Sequence, residues 1–363
     1  MNQKEVPFLF KEFPDLKTKL PWIQLGEFPT PVHQLKNIGY ENLWIKRDDL
    51  TSSIYGGNKV RKLEFALADA ISKKKKKVVT LGAIGTNHGL ATAIFCKKLG
   101  LDCTLLLFDQ PVTKNVKQNM RLFHGYGAKM IYKETLGKTA LSWGLTHRLL
   151  NPGAYFLTGG GSSSQGAIGF VNAVFELKSQ VEQGLLPEPD CIFCPLGSSG
   201  TLAGLALGVK LAGMKTAITG VRVTQSHLGP IHIATRESVL KLMKNAYKIL
   251  KRASGEIPDI DLSAPEIKHE FFGEGYGHVT AECSRAYDLL REKESINLDP
   301  TYTSKTFACV LDSCKKRSNS EETVLYWHTY NSVDLSAQAE AIDYKELPPE
   351  FHRFIEEPEE NQC

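Results

Sequence analysis

Lys59 follows two glycines and an asparagine, Gly56-Gly57-Asn58, and opens a stretch in which Val60, Leu63, Leu67, Ala70 and Ile71 recur at three- and four-residue spacing. That periodicity predicts one buried face of a helix. The glycines allow a tight turn and a close backbone approach, and Asn58 is a good helix cap. A lysine at a helix start is electrostatically misplaced, because the positive end of the helix dipole and partial burial both disfavour an ammonium there. Its amine is therefore expected to titrate low and to serve as a nucleophile. The alternative is a turn, a cap and a solvated lysine.

Two more loops have the composition of ligand cradles. Leu196-Gly-Ser-Ser-Gly-Thr follows an apolar run and precedes another, so strand, loop and helix fall in the order that presents backbone N–H groups to an anion. Gly197, Ser198, Ser199, Gly200 and Thr201 would form a phosphate cup. It is not a Walker loop, since no Gly-Lys-Ser/Thr ends it, and Val221-Arg-Val stands where a dinucleotide site wants an acid. The second loop, Gly82-Ala-Ile-Gly-Thr-Asn-His-Gly, also lies between a β-branched run and a helical pattern, placing Thr86 and Asn87 at a helix N-terminus. Cys191-Ile-Phe-Cys194 has the spacing of a redox or zinc half-site but no second Cys/His pair nearby, so core cysteines are expected and no metal. The five lysines from Lys73 to Lys77 suit a solvated helix end.

The elements that must position these loops read as alternating strands and helices. Strands are expected at 42–46, 77–82, 103–108, 129–132, 190–195, 220–224 and 323–329. Helices are expected from Lys59, at 115–123, 140–150, 167–180 and 237–252. Such alternation predicts parallel sheets with right-handed crossovers. At 363 residues, with 42% hydrophobic and 23% charged content, the chain can bury the core of one large or two smaller domains. A net charge of +4 is too small to argue for nucleic acid, and no apolar run approaches the roughly 20 residues of a membrane span. Met1-Asn-Gln-Lys-Glu-Val lacks the layout of a secretory signal or transit peptide, so a cytoplasmic protein is expected. The segment after Val333, acidic and carrying Pro348, Pro349 and Pro358, reads as a loosely packed tail.

Lys46-Arg-Asp-Asp-Leu-Thr with Gly56-Gly-Asn-Lys-Val-Arg-Lys-Leu-Glu64 resembles the family of 1-aminocyclopropane-1-carboxylate deaminases and D-cysteine desulfhydrases, pyridoxal-phosphate enzymes of the tryptophan-synthase-β type (fold type II). The resemblance runs from about Pro29 to Thr329. It implies an α/β fold of two parallel-sheet domains with the cofactor in the cleft between them. Residues 1–61 and 165–335 would form the large cofactor domain, 62–164 the small domain, and 336–363 the tail. It implies that Lys59 carries pyridoxal 5'-phosphate as a Schiff base, with Asn58 beside it. Asn87 would meet the cofactor's 3′-oxygen, the 197–201 loop its phosphate, Thr303 the neighbourhood of its pyridine nitrogen, and Thr329 its site as well. Thr86 would meet the substrate carboxylate. Phe271-Phe-Gly-Glu-Gly-Tyr-Gly and Asp299-Pro-Thr-Tyr-Thr-Ser-Lys supply Tyr276 and Tyr302 as substrate-side tyrosines. A homodimer is implied.

The chain departs from the family pattern at four places. Thr86 replaces a serine, Gly85 a glutamine, and Tyr330-Asn331 two glycines; these changes are expected to reshape or crowd the site. Thr303 stands where the deaminase branch has glutamate. A threonine cannot hold the ring nitrogen protonated, which weakens the electron sink and favours elimination of a good leaving group such as thiolate. The sequence thus points to β-elimination from D-cysteine or a related amino acid, giving pyruvate, ammonia and sulfide. A 1-aminocyclopropane-1-carboxylate deaminase or other amino-acid deaminase or dehydratase of the same fold, and a cofactor-binding but weakly or non-catalytic descendant, are the alternatives.

Overall fold

In the computed structural model, described for residues 6–228, 231–275, 278–316 and 321–359, the chain forms two compact units. The first comprises residues 1–65 and 162–332, the second 66–161 and 333–362.

The strands, in chain order, are β1 (Val32–Gln34), β2 (Leu43–Arg47), β3 (Lys77–Ala83), β4 (Asp102–Phe108), β5 (Lys129–Tyr132) and β6 (Tyr155–Phe156). They continue with β7 (Cys191–Leu196), β8 (Ala217–Arg222), β9 (His227–Leu228), β10 (Ile231–His232), β11 (Glu266–Lys268) and β12 (Val324–His328). The first unit is built on a six-stranded sheet of order β1-β2-β12-β7-β8-β11. Only the β1–β2 pair is antiparallel. Its two faces are covered by separate apolar clusters. Helices Ser164–Glu182, Gly200–Ala212 and Arg236–Ala253 pack on one, and helices Ala281–Glu294 and Thr303–Lys316 on the other. Helix Ser164–Glu182 touches helix Gly200–Ala212 closely enough that a Cβ at Gly204 would lie 2.3 Å from the Ala167 carbonyl oxygen.

The second unit holds the parallel sheet β5-β4-β3-β6. Two of its strand ends feed the loops that matter here: β3 leads to Thr86 and helix Asn87–Leu99, and β4 to helix Lys114–Gly125. The acidic C-terminal segment is part of this unit, which corrects the expectation of a loose tail. Phe351 and Phe354 are buried and meet the Tyr132 ring at centroid distances of 6.0 and 5.4 Å, and Arg353 donates to the Tyr132 hydroxyl at 2.6 Å. Aromatic burial, which acidic composition conceals, holds it down.

Other local expectations also shift. The predicted 140–150 helix is an α-turn, Leu136–Leu141, then a π-helical stretch, Ser142–His147, then Arg148–Leu150. Ile71 is exposed at the end of the Lys59 helix, whereas Val60, Leu63, Leu67 and Ala70 are fully buried. The lysine run lies just past that helix, with Lys73 paired to Asp69 at 2.7 Å and Lys75 bonded to the Pro152 carbonyl. Among the described residues no helix is long and apolar enough to cross a membrane, and no cluster could hold a metal. Cys191 and Cys194 are buried on opposite faces of β7, in different apolar clusters, and burial pushes the Cys194 thiol up to about 12.

Candidate active site

Lys59 is the second residue of helix Asn58–Ser72, and the turn before it leaves no alternative to glycine. A Cβ at Gly56 would lie 2.1 Å from the Asp49 carbonyl oxygen. Gly57 has φ +86°, with the Thr329 and Tyr330 carbonyls against its open face. The donors of this turn are all matched: Gly56 N–H to Asn331 Oδ1 at 2.7 Å, Gly57 N–H to Asp48 O at 2.9 Å, Asn58 N–H to Thr329 O at 3.3 Å. Burial pushes the Lys59 amine down to about 8, against an upward pull from the Asp299 carboxylate. An amine at that level is about one-tenth unprotonated at pH 7 and about half unprotonated at pH 8, far more than an ordinary lysine of pKa about 10.4, and the neutral form is the nucleophile.

The 196–201 loop sits in the same unit, and Asn58 joins the two motifs by donating to Thr201 Oγ1 at 3.1 Å. Ser162 donates to Ser198 Oγ at 2.7 Å and accepts from the Gly200 N–H at 3.0 Å. A Cβ at Gly200 would meet Ser162 Oγ at 2.8 Å and the Lys62 amine at 3.3 Å. At Gly197 it would meet the Tyr302 ring at 3.5 Å. Ser199 turns its hydroxyl away from the other small residues of the loop. It takes φ +68°, and its Oγ donates to Ile233 O at 2.6 Å and meets Ser238 Oγ. Its role is to turn the chain into helix Gly200–Ala212.

Lys62 escaped the sequence reading, although its spacing three residues from Lys59 puts both on one helix face. Burial and the neighbouring Lys59 charge push its amine well below the ordinary lysine range, with the Cys194 thiol pulling the other way. A buried amine beside a small-residue loop at a helix N-terminus suits a phosphate dianion, so these residues fit the phosphate of pyridoxal phosphate.

Thr303 lies fully buried at the start of its helix, its hydroxyl donating to Asp299 Oδ2 and accepting from the Asp299 N–H, each at 2.6 Å. Asp299, also missed, accepts the N–H groups of Thr301, Tyr302 and Thr303 and so caps that helix. Thr329 offers its carbonyl to Asn58 and follows His328 at the end of β12. Tyr276 lies outside the described residues.

Thr86 and Asn87 belong to the second unit. Thr86 caps helix Asn87–Leu99, its Oγ1 accepting from Gly89 N–H at 3.2 Å. Its methyl lies where Cβ atoms at Gly82 and Gly89 would be, at 2.7 and 2.4 Å, so two glycines absorb the group by which threonine exceeds serine. Asn119 donates to Gly85 O at 2.8 Å and to Asn87 Oδ1 at 3.2 Å, fixing the carboxamide. The glutamine missing at Gly85 has no room: a Cβ there would lie 2.6 Å from Val116 and 3.1 Å from Gln110 Nε2.

Comparison with known proteins identifies the family. The model of the family described as "Pyridoxal-phosphate dependent enzyme" matches residues 23–329. A protein of Pyrococcus horikoshii, provisionally named a 1-aminocyclopropane-1-carboxylate deaminase, is 33% identical over 86% of this chain and 93% of its own. The D-cysteine desulfhydrase of Klebsiella pneumoniae is 32% identical over 88% and 97%. The crystal structure of an ACC deaminase homologue superposes with a TM-score of 0.75 at 29% identity, over 93% of this chain and 99% of that one. The serine racemase of Dictyostelium discoideum shares the fold, with a TM-score of 0.59 at 18% identity, over 90% and 98%. With its lysine turn, its small-residue loop and its two largely parallel sheets, the chain belongs to the fold-type II family of pyridoxal-phosphate-dependent enzymes.

Proposed function

We propose that this enzyme catalyses β-elimination from D-cysteine or a related β-substituted amino acid, releasing pyruvate, ammonia and sulfide. The observation that carries the reading is Thr303: the deaminase branch has glutamate there, and here a neutral hydroxyl donates to Asp299. Bound pyridoxal phosphate supplies the electron sink for an α-carbanion. Without a carboxylic acid at position 303 that sink is weaker, which suits expulsion of a thiolate better than opening of a carbon ring. Lys59 would hold the cofactor and, once displaced by substrate, take the α-proton, for which an amine of pKa about 8 is well matched. Asn58, Ser162, Lys62 and the 197–201 loop would bind the phosphate, Asn87 would donate to the 3′-oxygen, and Thr329 would add a further contact. Thr86 with its helix end would take the substrate carboxylate. Tyr302 and Tyr276 would place the leaving group.

The deciding experiment is product analysis. The purified protein is given D-cysteine, L-cysteine and 1-aminocyclopropane-1-carboxylate, and sulfide, pyruvate and 2-oxobutanoate are measured. Sulfide and pyruvate in equal amounts from D-cysteine are expected. Robust 2-oxobutanoate formation would overturn the assignment in favour of the deaminase reaction named for the Pyrococcus relative. We infer further a cytoplasmic homodimer, which the family resemblance supports and which light scattering and cell fractionation test.

A further inference from the structure

We propose that Asn331 is a positioning residue that tethers the turn carrying Lys59, an inference that rests on Lys59 being the cofactor lysine. The family pattern that this sequence resembles has two glycines where the chain has Tyr330-Asn331, and the bulk of that pair is expected to crowd the site. The structure gives the second residue another task. Gly56 N–H donates to Asn331 Oδ1, 275 residues along the chain, at 2.7 Å. Beside it, Ser332 Oγ donates to Asp49 O at 2.8 Å, and Thr329 O accepts the Asn58 N–H at 3.3 Å. The 329–332 segment thus holds the lysine turn at its entry, at its exit and from behind. A glycine at 331 has no side-chain acceptor to offer. The turn cannot supply one by shifting, because Gly56 already lies against Asp49 O and Gly57 against Tyr330 O. The Lys59 amine projects from a helix whose first residue follows this turn directly, so slack here displaces the amine.

The test uses the holoenzyme with Asn331→Asp, Asn331→Leu and Asn331→Gly. Two readouts are taken: hydrogen exchange of the Gly56 amide, and the cofactor dissociation constant from visible absorbance on dilution. Losing one shielded hydrogen bond is expected to speed exchange and to weaken cofactor retention by a factor of roughly 5–30 in the Leu and Gly variants. Asn331→Asp keeps an acceptor and should restore both to near the native values. Retention in Asn331→Gly equal to or tighter than native would overturn the proposal, as would unchanged exchange in Asn331→Leu, or an Asp variant as weak as the Leu one. Should Asn331→Leu fail to fold, Asn331→Gly and Ser332→Ala decide it by the same readouts. Peptide mapping of the borohydride-reduced native enzyme separates the two ideas: an adduct away from Lys59 sinks the cofactor reading, while Gly56 exchange still judges the tether.

Discussion

Arg61, two residues beyond Lys59, closes a two-pronged ion pair with Asp48, Nε to Oδ2 at 2.8 Å and Nη2 to Oδ1 at 2.7 Å, wholly inside the protein. The same guanidinium reaches Glu176, which also holds Lys46 at 2.6 Å, and Trp327 Nε1 donates to Asp48 at 2.7 Å. Two cations and two anions cancel, so the cluster pins the lysine helix to β2, β12 and helix Ser164–Glu182 without net buried charge.

Removing one partner leaves an uncompensated charge, so Arg61→Leu is expected to cost about 3–5 kcal/mol in urea unfolding. Arg61→Lys should recover little, because an ammonium cannot serve both carboxylates bidentately. Burial pushes Glu176 up, but Arg61 and Lys46 outweigh it and hold it at about 2. Its contribution is therefore present above the ordinary carboxylate pKa of about 4.3 and lost as pH falls toward 2. A stability curve flat between pH 5 and pH 2 would contradict this.

Lys59 makes a kinetic prediction. With its amine at about 8, apoenzyme should capture pyridoxal phosphate at a rate that rises about tenfold per pH unit below that value and levels off above it. Stopped-flow absorbance from pH 6 to 9.5 reads the profile. A rate still climbing about tenfold per pH unit at pH 9.5 would mean an ordinary solvated lysine.

The lysine turn and the 197–201 loop were legible in the sequence as local structure because their residue types mark them. Paired glycines announce a tight turn by their type alone, although the carbonyls that demand them belong to Asp49, Thr329 and Tyr330, and the small residues of 197–201 sit between a strand and a helix that are each obvious alone. What could not be read depends on distant chain. Nothing near Lys62 says that its amine meets Gly200, nothing near Ser199 says that its hydroxyl belongs to Ile233, and nothing at Asn331 says that it serves Gly56. Strands β6 and β11, two and three residues long, carry no periodicity to find. Helices Ala281–Glu294 and Thr303–Lys316 went unpredicted because the motifs beside them drew the reading toward loops.

Lys62→Met should move stability and binding in opposite directions. Because burial and Lys59 lower its pKa, the folded apoenzyme binds this proton less readily than the unfolded chain. The penalty is full below the lowered value and fades as pH rises from there to the unfolded value of about 10.4. The methionine variant of the apoenzyme should thus be the more stable at pH 7, with the difference closing toward pH 10. Loss of a charge-assisted contact to phosphate should weaken cofactor binding roughly tenfold to a hundredfold. Tighter cofactor binding by the variant would remove Lys62 from the phosphate site.

The last prediction concerns Thr303, where a glutamate would convert the site toward the deaminase pattern. The structure argues that the exchange is not free. The Thr303 hydroxyl is buried and both donates to and accepts from Asp299. A glutamate would set a second carboxylate beside Asp299, and like charges about 4 Å apart repel by about 4 kcal/mol at an effective dielectric of 20. One of the two carboxyls should therefore keep its proton above the ordinary range, so that Thr303→Glu is destabilised at pH 8 and recovers as the pH falls through that raised value. Thr303→Val, which removes the donor without adding charge, should cost about 1–3 kcal/mol with little pH dependence. Urea unfolding of both variants at pH 5 and pH 8 separates the effects. If the glutamate variant is as stable as the native enzyme at pH 8, the side chain has turned away from Asp299. The route from threonine to the deaminase pattern is then open, and Thr303 no longer carries the choice of reaction.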